Sequence, residues 1–410
     1  MLTQQEKINI LKDLVAIQSV NDSEIEVCHY LKDLFAKYEI EAAIQPITET
    51  RANLIAEIGS GKPVIAVSGH MDVVSEGDAA LWSSPPFELT ERNGKLYGRG
   101  AADMKSGLAA LVIAMIEMKQ QGLPERGVIR LLATAGEETE QRGSEKLAET
   151  GYMDDVSALL IAEPCEKQII FGHKGSMNFK VVSKGTSAHS SAPIIGKNAI
   201  TPLIHFISEL ETCFDTEVNK RTFTHFDYSY LAQNVINQVH LPYSAENLND
   251  ILAKPLLTNT VLHGGNQVNS IPESAHALFN ARTVMEFNNE DMEVFFKNTL
   301  NRFNGQYETN LEMEVMMSLQ PVIASPDHPF ILLARSLGES VFDFSLPIAP
   351  TLGVTDASQL TNGKDIPFVM IGPGDGETAH QTDESVQIGS YVKFIEYYKQ
   401  LLSSALTKVF

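Results

Sequence analysis

Four short apolar runs, Val64 to Val67, Val128 to Ala133, Ala158 to Ala162 and Phe368 to Ile371, restrict the architecture more than any other feature of this sequence. Each is of strand length and bounded by Gly or Pro. A run that is apolar at every position suits a strand covered on both faces. Helical stretches such as Leu108 to Met118 separate some of them, which predicts a largely parallel α/β sheet flanked by helices. Two amphipathic helices precede the sheet: Ile8, Leu11, Leu14 and Val15 share one face, and so do Ile25, Cys28, Leu31 and Phe35. Ser23 followed by Glu26 predicts a capping box at the start of the second.

The middle of the chain has a different order. From Ser176 it reads strand (177–182), helix (198–210), an irregular stretch, strand (258–263), strand (275–283), helix (290–303) and strand (311–317). This βαββαβ order is that of a ferredoxin-like sandwich. A chain of 410 residues is also too long for one core. The expectation is one domain over 1–176 and 320–410, interrupted by an inserted domain over 177–319. The 215–255 stretch exceeds what such a connection needs and receives no role from the sequence.

A net charge of −21 excludes partners that demand a basic face, nucleic acid and anionic membrane among them. Cys28, Cys165 and Cys213 are widely spaced and suggest neither a disulfide framework nor a thiolate metal site. The N-terminal segment MLTQQEKINILKDLV carries acids, unlike a targeting peptide, and no apolar run reaches about 18 residues. A cytoplasmic location is expected.

In open α/β sheets, functional residues gather beyond the carboxyl ends of the strands. Here those ends deliver His70 and Asp72, Glu137 and Glu138, Glu163, and His380, while Asp103 lies just before a helix whose N-terminus favours an anion. Taken singly these are a structural histidine, solvated loop acids or a helix cap. Together they form a donor set: two imidazoles and three carboxylates hold two zinc ions when one carboxylate bridges, with cobalt a possible substitute. Two such ions about 3.5–4 Å apart acidify a water and clamp the attacked oxygen. A further carboxylate must carry the proton, which accounts for consecutive glutamates, one binding metal and one left free. GRGAAD matches the first two glycines of a dinucleotide fingerprint, but Asp103 occupies the third and no apolar strand directly precedes it. A non-catalytic relative on the same fold would have no need of the complete set.

The segments SGHMDVV (68–74), YGRGAADMKSG (97–107), TAGEE (134–138), AEP (162–164) and AHQTDE (379–384), in this order, resemble the motif set of the acetylornithine deacetylase/succinyl-diaminopimelate desuccinylase/carboxypeptidase G family of dizinc hydrolases. The resemblance implies that Asp103 bridges, that His70 and Glu163 hold one zinc, and that Glu138 and His380 hold the other. It implies Glu137 as general base, Asp72 as the acid that orients His70, and a cis peptide after Asp103. It also implies that the inserted domain pairs in a homodimer, with His189 and Asn269 supporting the substrate carbonyl or oxyanion and Arg282 holding a substrate carboxylate. TLGVTDAS (351–358), with Gly353 and Thr355, resembles the family's substrate loop.

The stretches NDSEIEVCHYLKDLF, NLIAEIG and LLATAGEE are similar to desuccinylases of Gram-positive bacteria. The implied substrate is N-succinyl-L,L-diaminopimelate, placing the chain in lysine and diaminopimelate synthesis. His173-Lys174-Gly175-Ser176 stands where many desuccinylases carry Arg-Arg-Gly-Ser, so Lys174 becomes the candidate cation for the succinyl carboxylate, a point charge without an arginine's fork. N-acetylornithine and dipeptide-like acyl amino acids remain alternative substrates.

Overall fold

The computed structural model describes residues 1–239 and 241–408, which form two compact units. Unit 1 comprises Met1–Phe171, Ala324–Ala349 and the chain from Thr355 onward; unit 2 comprises Gly172–Ile323 and Pro350–Val354. In chain order the strands that matter here are β1 (Ala42–Pro46), β2 (Ala52–Ser60), β3 (Val64–His70), β4 (Gly127–Thr134), β5 (Val156–Ile161), β6 (Ile169–His173), β7 (Gly175–Lys184), β8 (Leu256–Gly264), β9 (Ser274–Thr283), β10 (Leu311–Leu319) and β11 (Phe368–Met370). The helices are α1 (Gln4–Ala16), α2 (Glu24–Ala36), α3 (Lys105–Gln120), α4 (Arg142–Glu149), α5 (Ile200–Val218), α6 (Ser229–Gln238), α7 (Ala245–Ala253) and α8 (Asn289–Tyr307).

Unit 1 is built on a sheet whose strands run in the order β1-β2-β4-β3-β5-β11-β6. The inner four, β4, β3, β5 and β11, are mutually parallel, and these are the four apolar runs. The outer strands β1, β2 and β6 pair antiparallel, so the expected parallel sheet is the centre of a mixed one. β1 and β2 are joined by a short loop, and a short loop permits only antiparallel pairing. The parallel register brings the strand ends level. His70 lies opposite Thr134, and Ile161 lies opposite both Ser68 and Met370, so residues following each strand emerge along one edge.

Helix α3 is buried on every side from Lys105 to Met118, as an apolar helix must be when packed between the sheet and the helices Ile388–Thr407 and α1. Gly107 makes this approach possible: a Cβ there would lie 2.0 Å from the Ala162 carbonyl oxygen, just ahead of Glu163. The capping box expected at Ser23 does not form. Ser23 has φ 64°, a left-handed conformation, and makes no side-chain cap bond, whereas capping requires an extended backbone. The motif forms at Thr3 and Glu6 on α1 instead.

In unit 2 the four-stranded antiparallel sheet runs β8-β9-β7-β10. With α5 and α8 this gives the βαββαβ order. Phe179, Phe206, Phe279, Phe296 and Phe303 form its aromatic core, with Phe179 stacked on Phe296 at 4.5 Å. The stretch read as irregular contains two helices, α6 and α7; its polar Asn- and Asp-rich composition hid them, because each buries only one or two residues. Among the described residues no helix is long and apolar enough to cross a membrane.

Candidate metal centre

The residues beyond the strand ends of unit 1 converge. His70 closes β3, and its ring is 1% exposed. The ring Nδ1–H donates to the Asp72 carbonyl at 2.9 Å, a group that can only accept, which leaves Nε2 to face the rest of the cluster. That Nε2 faces Asp103 Oδ1 at 3.0 Å. On the other side, His380 Nε2 lies 2.9 Å from Glu138 Oε1 and 3.5 Å from Asp103 Oδ2. Each oxygen of the Asp103 carboxylate thus meets a different imidazole. Ligand atoms of His70, Asp103 and Glu138 all lie within 4.8 Å of one another.

The electrostatics of this cluster call for a cation. Burial would lower the pKa of His70, but the bond to Asp103 and the charges of Glu163, Asp72 and Asp103 outweigh it and hold the imidazole well above its ordinary value. His380 is raised chiefly by its bond to Glu138. Burial first, and then neighbouring carboxylates, push Glu137 and Glu163 well above the carboxylate range. Imidazoles drawn to bind protons beside carboxylates that resist ionising form a donor set that a divalent cation would satisfy, with nitrogen and oxygen ligands suited to zinc or its neighbours.

Two further carboxylates hold the loops in place. Asp72 does not orient His70 through its side chain, whose Oδ1 is 3.8 Å from Nδ1; its backbone carbonyl does that. The carboxylate instead accepts from the amides of Gly136, Glu137 and Glu138 at 2.9, 3.1 and 3.0 Å, fixing the loop that carries the two glutamates. Gly136 allows this turn with φ +78°, and a Cβ there would strike Arg51 Nη2 at 2.6 Å. Glu384, on the loop that carries His380, accepts from the amides of Ala102 and Asp103 at 2.8 and 2.9 Å and pairs with buried Arg99 at 2.5 Å. The peptide between Asp103 and Met104 is cis.

Sequence reasoning assigned no role to Glu384, Arg99 or Asp356. Asp356 is 2% exposed, accepts from Thr134 Oγ1 at 2.5 Å, and is pushed up to about 6 by burial. The signal available for Arg99 and Asp356 was charge inside apolar or glycine-rich motif segments, YGRGAADMKSG and TLGVTDAS, whereas Glu384 reads as one more acid in AHQTDE. Thr355, expected at the substrate, is buried with its hydroxyl 3.2 Å from Met370 Sδ, whereas Gly353 is exposed.

In unit 2, His189 and Asn269 lie on adjacent exposed loops, joined by the bridge His189–Ser270 and by the bond from Ser190 N–H to the Asn269 carbonyl. His189 Nδ1 accepts from the Ser191 amide at 3.2 Å, so the ring proton sits on Nε2 and is free to donate. Arg282 is half-buried on β9 with no ion-pair partner among the described residues, and burial lowers its pKa. Lys174 departs from expectation: it is fully buried, its ammonium donates to the Lys254 carbonyl at 2.6 Å, and burial brings it down to about 7. The residues just before β7 turn this side chain beneath α6 and α7 rather than outward.

The profile of Peptidase family M20/M25/M40 matches residues 66–404, a span that holds every residue of the converging cluster. The chain belongs to that family. A probable succinyl-diaminopimelate desuccinylase of Staphylococcus epidermidis is 42% identical over 411 residues, covering 100% of both chains. Among solved structures, an M20 metallo-carboxypeptidase from Sulfolobus solfataricus superposes with a TM-score of 0.80 at 20% identity, covering 97% of this chain and 98% of that one. A Bacillus subtilis M20 protein described as a dinuclear metal-binding peptidase gives 0.68 at 17% identity over 99% of each. This M20 chain is therefore a hydrolase acting on amide bonds.

Proposed function

We propose that the chain is a two-metal desuccinylase that hydrolyses N-succinyl-L,L-diaminopimelate to succinate and L,L-diaminopimelate. The observation that carries the chemistry is Asp103, with one carboxylate oxygen toward His70 and the other toward His380. His70 and Glu163 would hold one ion, Glu138 and His380 the other, and Asp103 both; the preferred ion is zinc, with cobalt able to substitute. The metal pair would supply an acidified water and a polarised amide carbonyl. Glu137 takes the proton from the attacking water and returns it to the leaving nitrogen as the C–N bond breaks. Asp72 and Glu384 keep the ligand loops in register, and Arg282 receives the amino-acid carboxylate. The substrate assignment rests on full-length similarity to the staphylococcal desuccinylase.

The test is a hydrolysis panel on metal-loaded protein with N-succinyl-L,L-diaminopimelate, N-acetyl-L-ornithine and several dipeptides. The succinyl substrate is expected to have the largest kcat/KM, and chelation to abolish turnover. Preference for another acyl group would overturn the substrate, and full activity without metal would overturn the centre.

Unit 2 supplies the remaining donor under this proposal. A deacylase benefits from a hydrogen-bond donor aimed at the developing oxyanion from the side opposite the metals. The free Nε2–H of His189 suits that task, and strongly exposed Ile194, Ile195 and Val268 flank it and Asn269 as an apolar surface a second copy would cover. The protein is then a homodimer in which His189 acts in its partner's site. Inactive His189→Ala and Glu137→Gln dimers, dissociated and reassembled together, should regain roughly a quarter of wild-type activity per chain, since half the dimers are mixed and each holds one intact site. Verified mixed dimers with no recovered activity would exclude donation in trans.

A further inference from the structure

The 219–255 segment is long for a connection between α5 and β8, and its described residues, 219–239 and 241–255, are firmly built. The Glu286 carboxylate accepts from the amides of Thr224 and His225 at 2.6 and 2.9 Å, and Arg221 donates to the Glu286 carbonyl at 2.8 Å. Tyr228, fully buried where α6 begins, donates its backbone N–H to Asn249 of α7 at 2.8 Å, so the two helices act as one piece.

Two bonds tie this piece to other parts of unit 2. The Tyr228 hydroxyl donates to the Thr351 carbonyl at 3.1 Å, in the first residue of the TLGVTDAS loop. At the other end, Lys174 donates to the Lys254 carbonyl, and its ammonium lies 5.7 Å from the centre of the Tyr228 ring. Leu231 and Leu252 of the segment and Leu352 of the loop pack against one core cluster. Removing a buried lysine from water is costly, and no carboxylate neutralises this one among the described residues. A lysine buried on such terms has its amino group committed to a specific partner, here a backbone carbonyl and an aromatic face.

We propose that residues 219–239 and 241–255 are a latch for the substrate loop, with Tyr228 and Lys174 as its two positioning residues: Tyr228 holds Thr351–Val354 in its binding conformation, and Lys174 fastens the latch to the start of β7. The proposal deepens the functional reading above and rests on it for the identity of the loop. It also gives Lys174 a role other than contact with a succinyl carboxylate.

Tyr228→Phe keeps the ring and deletes only the bond to Thr351. In the metal-loaded dimer it should raise KM for N-succinyl-L,L-diaminopimelate about 3- to 10-fold, the range of one hydrogen bond, with kcat and metal content unchanged. Amide exchange across 352–354 should quicken. Lys174→Met should reproduce both effects. The double variant should lose much less than the product of the two single losses, because both act through one piece. Multiplicative losses would overturn the latch and make Lys174 an independent substrate contact. Unchanged loop exchange in Tyr228→Phe would overturn it directly, and so would quickened exchange with unaltered KM. If the wild type cleaved no succinyl substrate the functional reading would fail, whereas the exchange measurement would still decide whether the segment holds the loop.

Discussion

Asp103→Asn is expected to empty the centre and abolish hydrolysis while leaving unit 1 folded. The replacement preserves size and leaves the backbone bonds from Ala102 and Asp103 to Glu384 in place. It removes the one carboxylate whose two oxygens face different imidazoles. Burial disfavours charge on Asp103, yet the bond from His70 and the nearby imidazoles hold its pKa below the ordinary value, so it stays an anion in a confined space. An amide offers one weak oxygen donor and cannot bridge. Loss of an outer partner of a metal ligand costs about 10- to 100-fold in affinity, so loss of the bridge should exceed 100-fold. Calorimetric titration of zinc into apo protein reads this directly, and thermal unfolding of the apo form should scarcely change. Two ions bound at wild-type affinity by the variant would remove Asp103 from the bridging position.

How much of this was legible in the sequence depends on whether a residue's task follows from its own strand or from a neighbour distant in the chain. The four inner strands could be read because burial on both faces leaves uninterrupted apolar runs, and the level ends of His70, Thr134 and Ile161 follow from parallel pairing. The antiparallel outer strands were not legible, since β1 is short and half-exposed. The residues that gather round Asp103, namely His70, Glu138 and His380, were legible as residue types at strand ends. Their supports were not. Glu384 reads as one more acid in AHQTDE, and its bonds to Ala102 and Asp103 span more than 280 residues of sequence. Asp72 was assigned to His70 by the resemblance of its motif to those of the dizinc hydrolases. Its carboxylate serves the loop at 136–138 instead, a contact only the sheet could bring about. The burial of Lys174 was hidden for the same reason: it was read as a candidate cation from its place in His-Lys-Gly-Ser, and the carbonyl it bonds lies far along the chain at Lys254.

The adjacent glutamates give the second large effect, because two carboxylates held by one loop are proposed for different tasks. Glu137→Gln should keep both ions and the fold, and lower turnover by at least about 100-fold, the lower range for loss of a positioned acid-base group. The backbone at 136–138 is fixed by Asp72 through main-chain amides that the substitution does not touch. Glu138, which faces His380 and is the proposed ligand, is unaltered. An amide at position 137 cannot accept the proton from water, so kcat should fall while KM, set by groups elsewhere, changes little. Glu138→Gln should behave in the opposite order, losing metal affinity first and regaining part of its turnover when zinc is raised. The pair is diagnostic because loop disruption would make the two variants alike. Zinc-restored turnover in Glu137→Gln, with a metal-replete but inactive Glu138→Gln, would exchange the two roles.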